Sequence, residues 1–170
     1  MINVNKNIRK VCSFYASDWH LITMLLPHIN KSINEENKII TILEEDAQDK
    51  VETLLSKLSL PKEKEILNIG WKKREINDTE IQEIIKKNAD TKNNIEIVVS
   101  GKNEYIEKVN NIIENYTSEN EFVENININI INCYYIENVT NIKEILNNHE
   151  AVLNTAGEKD VNTYLLQINM

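Results

Sequence analysis

Among its 170 residues the chain has only three glycines, two prolines, two cysteines and three histidines, and its aromatic content is 6%. So little glycine and proline excludes collagen-like and low-complexity chains. The glycines stand at 70, 101 and 157, so no Gly-x-Gly-x-x-Gly fingerprint can form. Cys12 and Cys133 both lie inside apolar stretches, which suits buried thiols better than a disulfide or half a metal site. No apolar run reaches the roughly 18 residues a membrane span needs, and residues 1–10 are polar. A cytoplasmic location with no membrane association is therefore expected, and the Asn-x-Ser/Thr triplets at Asn115 and Asn138 would meet no glycosylation machinery.

What is present is β-branched and polar. Isoleucine and asparagine each occur 27 times, 41% of residues are hydrophobic, and the formal net charge is -8. One compact domain over residues 1–170 fits this length and composition. The only basic string, Lys72-Lys73-Arg74 beside Trp71, is too short for a nucleic-acid patch against that charge, and a solvated loop is expected instead.

Strand and helix signals alternate. Residues 11–16 have strand composition, Ser17-Asp18 is a helix start, and Leu21, Ile22, Leu25, Leu26, Ile29 and Ile33 recur at helical spacing. Residues 38–43 predict a second strand, followed by a helix marked by Val51, Leu54, Leu55 and Leu58 that stops before Pro61. Residues 65–69 read as a third strand, with Gly70-Trp71 as its turn and a helix capped by Asp78 or Thr79 carrying Ile81, Ile84 and Ile85. Residues 95–99 are the clearest strand and lead into a helix whose buried face is Tyr105, Val109, Ile112, Ile113 and Tyr116. Between Ile126 and Tyr135 the alternation changes phase at Ile130-Ile131, which implies a bulge or a late strand start. A short helix around Ile142, Ile145 and Leu146 precedes two closing strands at 151–155 and 164–168. Such alternation predicts an α/β fold of three layers, a mostly parallel sheet with helices on both faces.

Sheets of this kind bind ligands outside the carboxyl ends of their strands. That rule brings forward Tyr15, Ser17, Asp18, Trp19 and His20 after the first strand, Glu44, Glu45 and Asp46 after the second, and Trp71 after the third. Ser100-Gly101-Lys102, Tyr134, Tyr135, Thr155 and Gly157 follow later strands. A rim of tryptophans and tyrosines suits a small, partly apolar molecule better than a phosphate chain. Ser100-Gly101-Lys102-Asn103 is the nearest string to a phosphate loop, but it lacks the upstream glycine and the hydroxyl after the lysine. His20 and His28 are about 80° apart around a helix and about 12 Å along it, too far to share a metal. Neither cysteine sits where a nucleophile would be activated, and Glu44, Glu45 and Asp46 read equally as a solvated acidic turn.

Three strings in order, Val11-Cys12-Ser13-Phe14-Tyr15-Ala16-Ser17-Asp18, Leu25-Leu26-Pro27-His28-Ile29 and the stretch 37–46, resemble the opening of the methanogen/methylotroph sensory (MEDS) domain family. Asn132-Cys133-Tyr134-Tyr135, the helix ending at His149, and Ala151-Val152-Leu153 are similar to its closing segments. The resemblance spans roughly residues 9–156, with Lys10 in place of the family's usual histidine and Tyr135 in place of an acidic residue. It implies a stand-alone sensory or regulatory binding domain in signal transduction, non-catalytic and without cofactor or metal. It also implies a degenerate RecA/KaiC-like fold in which residues 15–20 replace the phosphate loop and Glu44-Glu45 are remnants of catalytic glutamates. The expected ligand is small and apolar or amphipathic, bound by Tyr15, Ser17, Trp19, His20, Glu44, Glu45, Trp71, Tyr134 and His149, and the signal would pass to a protein partner. A residual nucleotide hydrolase using Glu44 or Glu45 is the alternative. A third option is an interaction module that forms a homodimer through strand 126–131 or an exposed helix.

Overall fold

The structure, a computed structural model, describes residues 7–89, 94–120 and 126–168. Its centre is β1 (Ile8–Tyr15), an eight-residue strand followed by α1 (Asp18–Asn34) and β2 (Lys38–Leu43). Three helices, α2 (Gln48–Leu55), α3 (Glu63–Ile69) and α4 (Asp78–Asn88), lead to β3 (Ile95–Gly101). Next come α5 (Asn103–Glu119), β4 (Ile128–Tyr135), α6 (Ile142–Asn147), β5 (Ala151–Asn154), β6 (Gly157–Asp160) and α7 (Val161–Ile168). The strands form one sheet in the order β2-β3-β4-β1-β5-β6, all parallel except for the antiparallel pairing of β5 with β6.

Hydrophobic residues on the two sides of the sheet define the outer layers. Val11, Tyr15, Val98, Ile131 and Leu153 pack against α1, α2 and α3. On the other side Cys12, Ile97, Val99, Ile130 and Tyr134 pack against α4, α5 and α6, with Val161 and Tyr164 of α7 joining them. The expected three-layer α/β architecture is what the chain adopts. β2 and β6 border the sheet.

Four local readings are corrected. Residues 65–69 belong to α3, where Ile66 is fully buried and Glu63 and Glu65 occupy the first turn, favourable positions for acidic groups at a helix N-terminus. Residues 164–168 belong to α7, because Val161, Tyr164 and Leu165 fall at helical spacing against the core, and the last strand is Gly157–Asp160. Asn77 caps α4, its side chain accepting the Glu80 N–H at 3.0 Å. β4 carries no bulge: its eight residues pair one to one with β1, from Ile8↔Ile128 to Tyr15↔Tyr135. The other alternative, a late start, is what the strand shows, beginning at Ile128 rather than Ile126, and its alternation fails because an interior parallel strand is buried on both faces. Since β4 is paired on both sides, it offers no free edge to a second copy of the chain.

Candidate functional site

The strand-end crevice expected beside Tyr15 and Trp71 is closed by its own side chains, while beyond Glu44 a cavity of about 380 Å³ opens against Arg74, Ile76 and Tyr105. Between Tyr15, Leu43, Trp71 and Ser100 the free volume is only about 20 Å³. Trp71 is 1% exposed, its indole N–H donates to the Ile66 carbonyl at 2.9 Å, and its main chain is tied to Gln48 and Ala47. It is a core residue, not a rim platform. Trp19 is its opposite, 46% exposed on the first turn of α1. Tyr15 is buried against Tyr135 at 5.6 Å between ring centres, and desolvation, only partly offset by a hydrogen bond from Ser100, pushes its phenol up to about 12.

The turn after β1 spends its polar groups on itself. The Ser17 hydroxyl accepts the His20 N–H at 3.2 Å, Leu21 N–H goes to the Ser17 carbonyl, and His20 Nδ1 accepts the Ala16 N–H at 3.0 Å. Asp18 pairs with Lys50 at 2.6 Å. Backbone amides that would have to converge on an anion are thus partly committed to a local N-cap, and a carboxylate stands beside them.

Glu44 is likewise engaged. Its Oε1 accepts the Lys102 N–H at 2.8 Å while its own N–H donates to the Ser100 carbonyl at 2.9 Å. Gly101 makes room for it: with φ at 154°, a Cβ there would lie 2.8 Å from Glu44 Cβ and 3.0 Å from Tyr105 Cδ1. Replacing Gly101 by Ala is therefore expected to cost about 2 kcal/mol through overpacking and backbone strain. Urea unfolding midpoints of the two proteins, at unchanged slope, measure it. Glu45 is exposed beside this contact.

The remaining predicted site residues lie on the opposite face. Tyr134 stacks on Phe14 at 5.9 Å and meets the His149 ring edge-on at 6.0 Å. His149 is the head of a buried amide chain: Nδ1 donates to the Ile145 carbonyl at 2.6 Å and Nε2 accepts from Asn132 Nδ2 at 3.0 Å. Asn132 in turn exchanges two hydrogen bonds with Asn110, at 2.8 and 2.9 Å. Desolvation lowers His149 to about 4, so the ring is neutral in the tautomer these bonds require. A cavity of about 580 Å³ adjoins this chain, with the Lys10–Glu114 pair at 3.1 Å on its wall. The nine residues are therefore divided between the two faces of the sheet and do not form one site.

Of the cavities formed by the described residues, the most voluminous of those identified is lined by none of the nine expected site residues. It holds about 940 Å³ on the α1 side, over the N-terminal halves of β1, β3 and β4 and against β6. Its floor carries a charged residue inside an otherwise apolar strand, Glu96, only 5% exposed. Glu96 Oε1 lies 2.8 Å from His28 Nε2, and its other oxygen accepts from Asn129 Nδ2 at 3.3 Å. Asn129 Oδ1 then accepts from Arg9 Nη1 at 3.4 Å, and the Arg9 guanidinium closes on Glu158 at 2.9 and 3.3 Å. Burial works against the His28 imidazolium, but the hydrogen bond and charge of Glu96 outweigh it and hold His28 above the ordinary histidine range.

Among the described residues no three His, Cys, Asp or Glu side chains are placed to hold a metal ion. Burial pushes the Cys12 thiol up to about 12 and the Cys133 thiol higher still, far from a reactive thiolate. No helix among them is long and apolar enough to cross a membrane. Compared with family models, with curated protein sequences and with solved structures, the chain finds no match.

Proposed function

We propose that the chain is a small-molecule-binding regulatory domain whose ligand occupies the cavity between α1 and the N-terminal halves of β1, β3 and β4. One observation carries this reading: a carboxylate, Glu96, is buried near the start of β3 between Ile95 and Ile97 and lines open volume. Burying a charge costs several kcal/mol unless it is paired, and an apolar residue would serve packing at least as well. A ligand-facing role explains why the position is polar, and His28 and Asn129 hold the carboxylate in a fixed orientation.

The sensory role keeps the frame of the resemblance while moving the site away from the strand ends. His28 rides on α1, whereas Arg9, Glu96 and Asn129 belong to the sheet. A molecule bridging the two layers binds one placement of α1 better than another, and that difference shifts the population a protein partner meets. The RecA/KaiC-like descent remains part of the proposal. The turn at 15–20, whose local hydrogen bonds leave little for a phosphate chain, fits the lost phosphate loop that this descent includes.

Amide shift mapping of the labelled protein against a fragment library is the test. Clustered perturbations at Arg9, His28, Glu96 and Asn129 are expected. Perturbations centred on Ser17, Glu44 and Ser100, particularly with Mg-ATP, would move the site back to the strand ends and favour the nucleotide hydrolase.

A further inference from the structure

We infer that the cavity beneath α1 takes an uncharged, hydroxyl-rich ligand of the sugar or polyol class, an inference that rests on the binding reading above. Among the described residues the formal charges of the wall balance. Arg9, His28 and Lys31 stand against Glu35, Glu96 and Glu158, three of each sign when His28 is protonated. The charged pairs of the wall are made internally, His28 with Glu96 at 2.8 Å on the buried floor and Arg9 with Glu158 at 2.9 Å on the half-exposed outer side. A charged ligand reaching the floor would have to compete with the His28–Glu96 pair and leave one of those buried groups uncompensated, which is costly away from bulk water, while Lys31 and Glu35 stand exposed at the rim.

What the wall presents in quantity is the carboxamide. Six asparagines, at 7, 37, 94, 127, 129 and 154, line the cavity. Asn129 spends both ends of its amide on Glu96 and Arg9, Asn37 donates to Ser32 and Asn154 accepts the Ala156 N–H, which leaves the amides of Asn7, Asn94 and Asn127 and the remaining groups of Asn37 and Asn154 for adjacent hydroxyls, each of which both donates and accepts. Among the described residues of the wall there is no Phe, Tyr or Trp to stack a base or another flat ring. Met24, Pro27 and Leu153 supply an apolar strip suited to the C–H face of a sugar or polyol. The volume, about 940 Å³, falls within the usual range of small-molecule sites. A site built from paired polar groups discriminates sharply against ligands that leave them unpaired, and this disfavours the hydrocarbon-like molecules suggested by the aromatic residues.

Isothermal titration of the full chain separates these chemistries. The probes are maltose, trehalose, sorbitol and myo-inositol, with citrate, spermidine and octanol as contrasts. Two variants accompany the wild type: Asn129→Leu, which removes the amide joining Arg9 to Glu96, and Thr155→Trp, which crowds the mouth from an exposed turn without touching the core. At least one sugar or polyol is expected to saturate the wild type, with affinity reduced tenfold or more in both variants. Saturation by citrate, spermidine or octanol alone, lost in Thr155→Trp, overturns the ligand class and leaves the cavity as the binding site. Sugar binding indifferent to both variants overturns the assignment to this cavity. Silence from every sugar and polyol overturns the class, and the fragment map then decides independently whether the cavity binds anything.

Discussion

Trp71→Ala will destabilise the protein by about 3–5 kcal/mol, and Trp19→Ala will change its stability by no more than about 0.5 kcal/mol. The two tryptophans look alike in sequence, each just beyond an apolar run and each a candidate ligand platform. In the structure Trp71 fills the space between α2, α3 and the sheet with 1% of its surface exposed, and its N–H satisfies the Ile66 carbonyl. Truncation removes some of the largest buried surface in the molecule and orphans a helix carbonyl. Paired chemical denaturation curves give both values. Near-equal small effects would show that the indole at 71 is a surface ring and would reopen the strand-end crevice.

The second large effect is one of pH. His149 has a folded value of about 4 against an ordinary value of 6.5. A base whose folded value is depressed contributes stability above its unfolded value, and that stability is lost as pH falls toward the folded one. The difference corresponds to about 3 kcal/mol, removed progressively between pH 6.5 and 4. Protonation of Nε2 sets a donor against the Asn132 amide and brings a cation into a pocket shared with Lys10, which also disfavours it. His28 has the opposite sign. Its folded value is raised by Glu96, so its contribution is complete below about pH 6.5 and is lost as pH climbs through the folded value. Stability should therefore peak near the ordinary histidine value. Thermal unfolding from pH 5 to 9 tests this: His149→Gln should flatten the acid limb and His28→Gln the alkaline one. Unchanged acid sensitivity in His149→Gln would refute the buried-neutral assignment.

The fold was more legible than the site because the two are written in different signals. Hydrophobic periodicity placed α1 and α5, the apolar run at 11–16 placed β1 and the β-branched runs at 38–43 and 95–99 placed β2 and β3, since helices and buried strands each repeat on a short local scale. It failed at 65–69 and 164–168, where five residues cannot tell a strand from one turn of an amphipathic helix. At Trp71, residue type suggested a binding ring, but depth of burial depends on α2 and α3 closing over it, which no local pattern encodes.

The cavity beneath α1 did leave a trace. Glu96 interrupts Ile95, Ile97, Val98 and Val99, and Asn129 and Asn132 interrupt the isoleucines of β4. A polar side chain in an interior strand must find a partner, so each signals a buried network. Which partners they find was not readable. His28, Asn129 and Glu158 are brought to Glu96 and Arg9 only by the order of strands in the sheet.

The borders of that sheet carry a further consequence. On one side the backbone of 70–74 lies along β2, with the Thr41 hydroxyl donating to the Gly70 carbonyl and the Arg74 N–H donating to Leu43. On the other, β6 is four residues long and reads Gly-Glu-Lys-Asp. A draped flank and a stub crowded with charge both discourage foreign strands from adding on, the route by which native sheets seed fibrils. The isoleucine-rich interior strands, which would make an adhesive template if bared, are thereby kept from intermolecular stacking for as long as the chain stays folded.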